Sequence, residues 1–382
     1  MHPRCPDRAS ERSARPARAE PQQLSASGAF GVYVHIPFCA KRCDYCAFAT
    51  FTDRHHLASA YLDAVADEID AAVERGGLDD VTSVFVGGGT PTLVDPDELG
   101  AVLRRIPVAG GAEVTVESNP DDITDALVST LQDAGVTRIS MGVQSLDPIV
   151  LQGLGRTHDP DQVVRAVGVL HSAGLDSFNV DFIMGGYGES VESWQRTVEG
   201  AIALDPPHVS AYGLTVEAAT PLADDPSRHP DDDDLAEKYV IADELFEASG
   251  RPWYEISNWA LEGHECRHNQ LYWEQGDYLG FGCAAHSHTD GERWWNVRTP
   301  DRYLELRADG RSARSGGETL DVTTRRVEAL QLAIRTTEGI SSAELPDDPD
   351  LADLVVIEGD RVVLTRRGRL LANEVAIRLD PR

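Results

Sequence analysis

Eight residues constrain this chain more than any others: Cys39-Ala40-Lys41-Arg42-Cys43-Asp44-Tyr45-Cys46, a C-x3-C-x2-C run that follows the apolar segment 30–36. The chain has six cysteines in 382 residues, and three lie inside this octet. Three neighbouring thiols do not pair off as disulfides, because one is left over. They can face one inorganic centre. A closed zinc site asks for four ligands, usually from two C-x2-C knuckles. A ferredoxin-type cluster asks for four cysteines in another spacing. A [4Fe–4S] cubane held by these three would keep one iron free of protein, open to a small chelating molecule. Zinc, or three structural cysteines, are the competing readings.

Length and charge narrow the classes. A chain of 382 residues can build a large core domain and a smaller one. No run of about 18 apolar residues occurs, so no transmembrane helix is expected. The formal net charge of −30 opposes nucleic-acid binding, which needs a basic footprint. It also opposes docking on an anionic membrane, and it reads as a solvated acidic surface. Reduced cysteines around a cluster imply a reducing compartment, so a cytoplasmic protein is expected. Residues 1–28, rich in Arg, Ala, Pro, Ser and Gln without apolar periodicity, read as a disordered tail.

From residue 29 strand and helix patterns alternate, which argues for parallel β/α units. Strands are expected at 30–36, 82–86, 112–117, 137–143, 177–183 and 208–213, with a long helix at 54–75 carrying Leu57, Tyr61, Leu62, Val65, Ile69 and Val73 on one face. Polar or glycine-rich residues fall at the strand ends: the triplet Gly87-Gly88-Gly89 before Thr90, then Glu117, Gln144 and Asp181. In a β/α barrel that end holds the active site. The glycines would let backbone approach a ligand closely, although either acid could simply cap a following helix. Six units predict a partial (β/α)6 TIM-like barrel, open on one side and able to admit a large flat molecule. Residues 218–233 read as a linker, and the acidic run 231–234 as the cap of a helix at 234–249. The expected division is a tail at 1–28, a core domain at 29–260 and a C-terminal domain at 261–382. A helix around Val327, Leu330 and Ile334, a hairpin turning at Gly359-Asp360 and a last helix after Thr365 give the C-terminal part a winged-helix-like α+β character. It is read as a lid or interaction module.

The cysteine string is also the signature of the radical S-adenosylmethionine (SAM) superfamily, and over residues 29–380 the chain resembles it. In that superfamily the open iron binds the amino and carboxylate groups of SAM. The longer string Tyr33-Val34-His35-Ile36-Pro37-Phe38-Cys39 resembles the branch that holds the oxygen-independent coproporphyrinogen III oxidases and related heme chaperones. The resemblance implies that Cys39, Cys43 and Cys46 hold a [4Fe–4S] cluster. It implies a SAM site at Tyr33, Gly88, Thr90, Glu117, Gln144, Arg156 and Asp181, with Gly89 beside them. Chemically, a carboxylate can accept from the SAM ammonium or a ribose hydroxyl, and Arg156 can pair with its carboxylate. One departure is Met184-Gly185-Gly186-Tyr187-Gly188, where the family more often has Gly-Leu-Pro-Gly.

Two features separate oxidase from chaperone within the branch. The oxidase has a further cysteine two residues after the third; here that position is Phe48, as in the chaperones. His268-Asn269-Gln270-Leu271-Tyr272-Trp273 matches their H-N-x-x-Y-W string, tied there to heme. A histidine suits heme iron as an axial ligand, and Tyr272 and Trp273 offer aromatic surface to a macrocycle. His268, Asn269, Tyr272 and Trp273 are therefore the expected heme contacts. Cys266 and His286 are weaker iron-ligand candidates for which burial in the core is the favoured reading; Cys5 and Cys283 have no assigned role. The resemblance implies a heme chaperone serving apo-hemoproteins such as respiratory-chain enzymes, a reductant such as flavodoxin or ferredoxin, and a cluster whose open iron would allow a homodimer. The competing reading is the enzyme that decarboxylates coproporphyrinogen III oxidatively, against which Phe48 argues.

Overall fold

The computed structural model describes residues 28–379; the expected tail lies almost wholly outside them. Six parallel strands come first: β1 (Phe30–Ile36), β2 (Val81–Gly88), β3 (Val108–Ser118), β4 (Arg138–Gln144), β5 (Ser177–Met184) and β6 (His208–Gly213). They lie side by side in chain order. Helices α1 (Ala58–Glu74), α2 (Pro96–Leu103), α3 (Asp125–Asp133), α4 (Pro148–Gly153), α5 (Pro160–Ser172) and α6 (Val191–Ala203) return the chain between them. After β6 comes α7 (Asp232–Ala248), whose N-cap Asp231 accepts from the Asp233 and Asp234 amides. The acidic run thus caps the helix, because free N–H groups of a first turn favour a carboxylate.

Parallel strands covered by helices usually read as continuous apolar runs. These alternate instead. Val32, Val34 and Ile36 of β1 and Val114 and Val116 of β3 are buried in the main apolar core. The residues between them form a polar inner face. There the Asn179 side-chain amide donates to Ser140 Oγ (2.8 Å) and Ser210 Oγ (2.9 Å), and its carbonyl meets His208 Nδ1 at 2.7 Å. Such an interior is stable only when its polar groups are paired, and it surrounds a site with fixed dipoles.

The sheet stays open. At the β6 side it adds the antiparallel pair β7 (Trp253–Glu255) and β8 (Asn258–Ala260). After α8 (Arg267–Trp273), β9 (Asp277–Phe281) joins β1 in parallel. The strands β10 (His286–Thr289), β11 (Glu292–Asn296) and, beyond α9 (Pro300–Ala308), β12 (Arg314–Thr319) follow antiparallel, making twelve strands in one sheet. Residues 277–319, grouped by sequence with the C-terminal part, therefore continue the barrel sheet. Their strands are rich in His, Ser, Glu, Arg and Gly, so no apolar alternation reveals them.

The remaining module has its own core around Leu330, Ile334, Val362, Leu364 and Val375. It holds α10 (Val322–Ala333), a small sheet of β13 (Ile340–Ser341), β14 (Val355–Glu358) and β15 (Arg361–Leu364), and α11 (Arg366–Leu370) and α12 (Ala372–Arg378). The expected last helix is two, broken at Leu371. The module is pinned to α7 by Asp243, which pairs with Arg369 and Arg366. No helix among the described residues is long and apolar enough to cross a membrane.

Candidate functional site

The cysteine loop is closed at its base. The Phe51 amide donates to Pro37 O (2.7 Å) and the Cys39 amide to Phe51 O (3.1 Å), so residues 39–50 leave and rejoin the barrel at one point. Arg42 donates to Cys46 O at 2.9 Å. The glycine triplet lies against this base: the Gly89 amide donates to Ile36 O (2.8 Å) and the Thr90 amide to Phe38 O (2.7 Å). Gly88 has φ of +111°, and a Cβ there would stand 2.4 Å from the His35 ring. Only glycine meets both demands.

The segment 218–233 that sequence reads as a linker crosses the same loop. The Leu222 amide donates to Asp44 O (3.0 Å) and Arg228 pairs with the Asp44 carboxylate at 2.9 Å. On the other flank Arg156 donates to Cys43 Sγ (3.4 Å), Asn119 Oδ1 (2.6 Å) and Gly142 O (2.8 Å), while its Nε is buried with no partner. Gln144 sits at φ +67°, an uncommon conformation for a side-chain-bearing residue, beside a register shift in β4. That shift turns the end of β4 toward the cavity.

Two acids face inward from β3 and β5, the strands on either side of β4. Glu117 accepts from the Gly88 amide at 3.1 Å. Asp181 accepts from Asn179 Nδ2 (2.7 Å) and Ser140 Oγ (3.3 Å). Among the described residues no cationic side chain forms an ion pair with either. Burial, and then the charge of Asp181, push Glu117 up to about 8; burial also raises Asp181, against its hydrogen bonds. Glu117 therefore holds a proton in the folded chain that it loses when unfolded. Its stabilising contribution is complete below its ordinary value and is lost as pH rises toward about 8. Glu117→Gln is expected to flatten that fall, which is roughly 1.4 kcal/mol per pH unit for one proton. Urea unfolding of both proteins across that window checks it; parallel pH profiles would refute it.

All these groups share one cavity of about 510 Å³. Cys39, Cys43, Cys46, Phe48, Gly88, Gly89, Thr90, Glu117, Gln144, Arg156 and Asp181 line it, as the sequence expects. Asn119, Tyr212 and Glu217 line it too and had carried no separate assignment. Asn119 was legible in the string Glu117-Ser118-Asn119-Pro120, whereas Tyr212 stands at the end of β6 and Glu217 in the chain after it. The donor set fits the implied cofactors. Three free thiols stand at one end. Among the described residues no three His, Cys, Asp or Glu side chains converge as a single-ion site, and a cubane spreads its thiolates over three irons. Two unpaired buried acids suit a ligand carrying an ammonium and a sulfonium, and the orphaned Arg156 Nε suits its carboxylate.

Tyr33 and the H-N-x-x-Y-W string lie elsewhere. Tyr33 is one layer below, its hydroxyl 3.0 Å from His35 Nδ1. The string forms α8, which closes the opposite, N-terminal end of the barrel. Glu113 accepts from the Arg267 and His268 amides at 3.2 Å each, and Cys266 is buried against the same carboxylate. His268 is 1% exposed. Its Nδ1 meets Ser83 Oγ (3.0 Å), its Nε2 meets the Tyr272 hydroxyl (2.8 Å), and its ring stacks on Phe85. Burial lowers its pKa to about 3. Asn269, Tyr272 and Trp273 are half-buried on the same helix. His286, expected in the core, is exposed instead.

Residues 33–201 match the radical SAM superfamily. A solved structure titled as the radical SAM enzyme coproporphyrinogen III oxidase (HemN) from Escherichia coli superposes with a TM-score of 0.79 at 23% identity, over 92% of this chain and 90% of the other. Fold and cavity together define a radical SAM protein, the class whose cofactors are a [4Fe–4S] cluster and SAM. Heme chaperone HemW of Mycobacterium tuberculosis is 39% identical over 364 residues, 91% of this chain and 93% of the relative. HemW of Escherichia coli is 34% identical over 90% of this chain and 96% of the relative, and that of Bacillus subtilis 33% over 90% and 97%. The chain belongs to the HemW family.

Proposed function

We propose that the chain is a heme chaperone that binds heme as cargo and passes it to apo-hemoproteins, respiratory-chain enzymes among them. In this reading the barrel cavity carries the cluster and SAM. One observation supports the cofactor half: three free thiols and the polar ends of β2 to β5 line a single cavity. Cys39, Cys43 and Cys46 would hold the cluster. Glu117 and Asp181 would meet the cationic groups of SAM, Arg156 its carboxylate, and the Gly88-Gly89 edge its backbone-like atoms. Bound there, the pair supplies one-electron chemistry fed by a flavodoxin- or ferredoxin-type reductant. The chain's own part is to orient the ligand, exclude water and hold a proton on Glu117 until a cation arrives.

The heme half is supported by the family name that the relatives carry across nine-tenths of the chain, and by Phe48, 66% exposed at the cavity rim. The test is anaerobic titration of the reconstituted protein with hemin, followed by mixing with an apo-hemoprotein. A stoichiometric Soret band that moves to the acceptor is expected. Consumption of coproporphyrinogen III with SAM and reductant would instead establish the oxidase.

A further inference from the structure

We propose that α8 is a latched flap in the barrel floor: cargo reaches His268 only after the helix swings off the sheet, and Glu113 is the latch that holds it shut. This rests on the heme reading above, with α8 as the helix that takes the cargo.

In the closed position His268 has no room for iron. An axial ligand must offer an uncommitted ring nitrogen with space for a flat macrocycle over it. Here Ser83 Oγ is 3.0 Å from Nδ1, and the Tyr272 hydroxyl is 2.8 Å from Nε2. One face of the ring lies on Phe85, with centroids 5.5 Å apart and planes 27° from parallel. Its edge meets β1, where a Cβ at Gly31 would stand 3.2 Å from His268 Cε1. Rotating the ring in place makes no room for a macrocycle, so the helix itself has to move.

The helix is held from outside. Its N-cap residue, Cys266, makes no side-chain capping hydrogen bond. Glu113 of β3, more than 150 residues earlier, takes that role. Its half-buried carboxylate accepts from the Arg267 and His268 amides and from Cys266 Sγ at 3.5 Å. First-turn amides favour a carboxylate, so one side chain fixes the end of α8 that carries His268. The other end is tied to the C-terminal module, where Gln275 donates to Glu328 of α10 at 3.4 Å. Left-handed residues flank the helix: exposed Gly263 at φ +85° and Gln275 at φ +53°. The first gives slack and the second a pivot.

Little apolar surface holds the flap down. Of the α8 residues, His268 and Leu271 are the buried ones. Leu271 is confined on both sides by glycines, since Cβ atoms at Gly31 and Gly276 would stand 2.5 and 2.7 Å from its methyls. Tyr272 packs edge-on against Tyr278 of β9. The remaining contacts are hydrogen bonds, which water can replace. A segment with few buried apolar contacts belongs to the least stable part of a fold. Lifting it removes the Ser83 and Phe85 contacts together and gives the imidazole to solvent, while the SAM cavity at the other end of the strands is undisturbed.

The experiment is stopped-flow mixing of hemin with the full-length reconstituted protein, wild type beside Glu113→Gln and Gly31→Ala, together with hydrogen exchange at the start of α8. In the wild type the rate of Soret growth should level off as hemin rises, because opening limits it. Glu113→Gln replaces a charged acceptor by a neutral one, and Gly31→Ala drives a methyl against Leu271. Both should raise the plateau roughly tenfold, with iron and sulfide content unchanged. In the wild type alone, bound hemin should speed exchange of the Arg267 and His268 amides while those of β2 stay protected. A wild-type rate that stays proportional to hemin and is the same in both variants overturns the latch and leaves the chaperone reading standing. Hemin that leaves those two amides as protected as before does the same, whether or not the variants fold. No heme binding by the wild type overturns both.

Discussion

Cys43→Ala is expected to abolish the cluster's visible absorption after anaerobic reconstitution, and SAM binding with it. Stability of the cofactor-free protein should change by about 0.5 kcal/mol or less, the usual range for a site outside a packed core. The reason lies in where the thiols sit. Cys39, Cys43 and Cys46 are on a partly exposed loop whose base is fixed by backbone hydrogen bonds to Phe51 and Pro37, none of which involves a thiol. Two remaining cysteines cannot anchor three corners of a cubane. The measurement is iron and sulfide content with the absorption spectrum, beside urea unfolding of the apo form. Full cluster loading in the variant would refute the three-cysteine assignment.

The opposite pattern is expected for Asp243→Ala: a loss of about 3–5 kcal/mol in stability, as when one partner of a buried ion pair is removed. Asp243 is fully buried, and Arg369 grips it with two bonds of 2.6 Å while Trp259 Nε1 donates at 3.0 Å. Arg369 is itself nearly buried, 4.4 Å from the Trp253 ring centroid. Removing the carboxylate strands that guanidinium at the seam between α7 and the C-terminal module. Burial alone would raise the Asp243 pKa, but the bonds from Arg369, Trp259 and Arg366 win and hold it below its ordinary value. Its contribution is therefore present at neutral pH and is lost only as pH falls through that lowered value. Limited proteolysis should release the module in Asp243→Ala before the barrel yields. Cluster loading should survive, since the cysteine loop lies at the far end of the strands. A variant as stable as the wild type would show that the seam is held by apolar contact instead.

The six parallel strands and the cavity residues were legible in the sequence because both depend on local order. Apolar and polar positions alternate along these strands, and β2 to β5 carry Gly88, Glu117, Gln144 and Asp181 at or near their C-terminal ends. Cys39, Glu117, Gln144 and Asp181 could be assigned to one face because parallel strands all end on the same side. Chain connectivity did the rest.

His268 and His286 show the limit. A six-residue string is local, but whether its histidine faces solvent depends on Ser83, Phe85 and Glu113, more than 150 residues earlier. The sequence determined that three thiols would meet one ring of strand ends, since spacing and alternation are properties of neighbours along the chain. Only the tertiary structure decided that residues 277–319 extend the barrel, that α8 closes its floor and that His286 stays uncovered. Those outcomes follow from which distant surfaces pack together, and burial of that kind is set by contacts that no window of sequence contains.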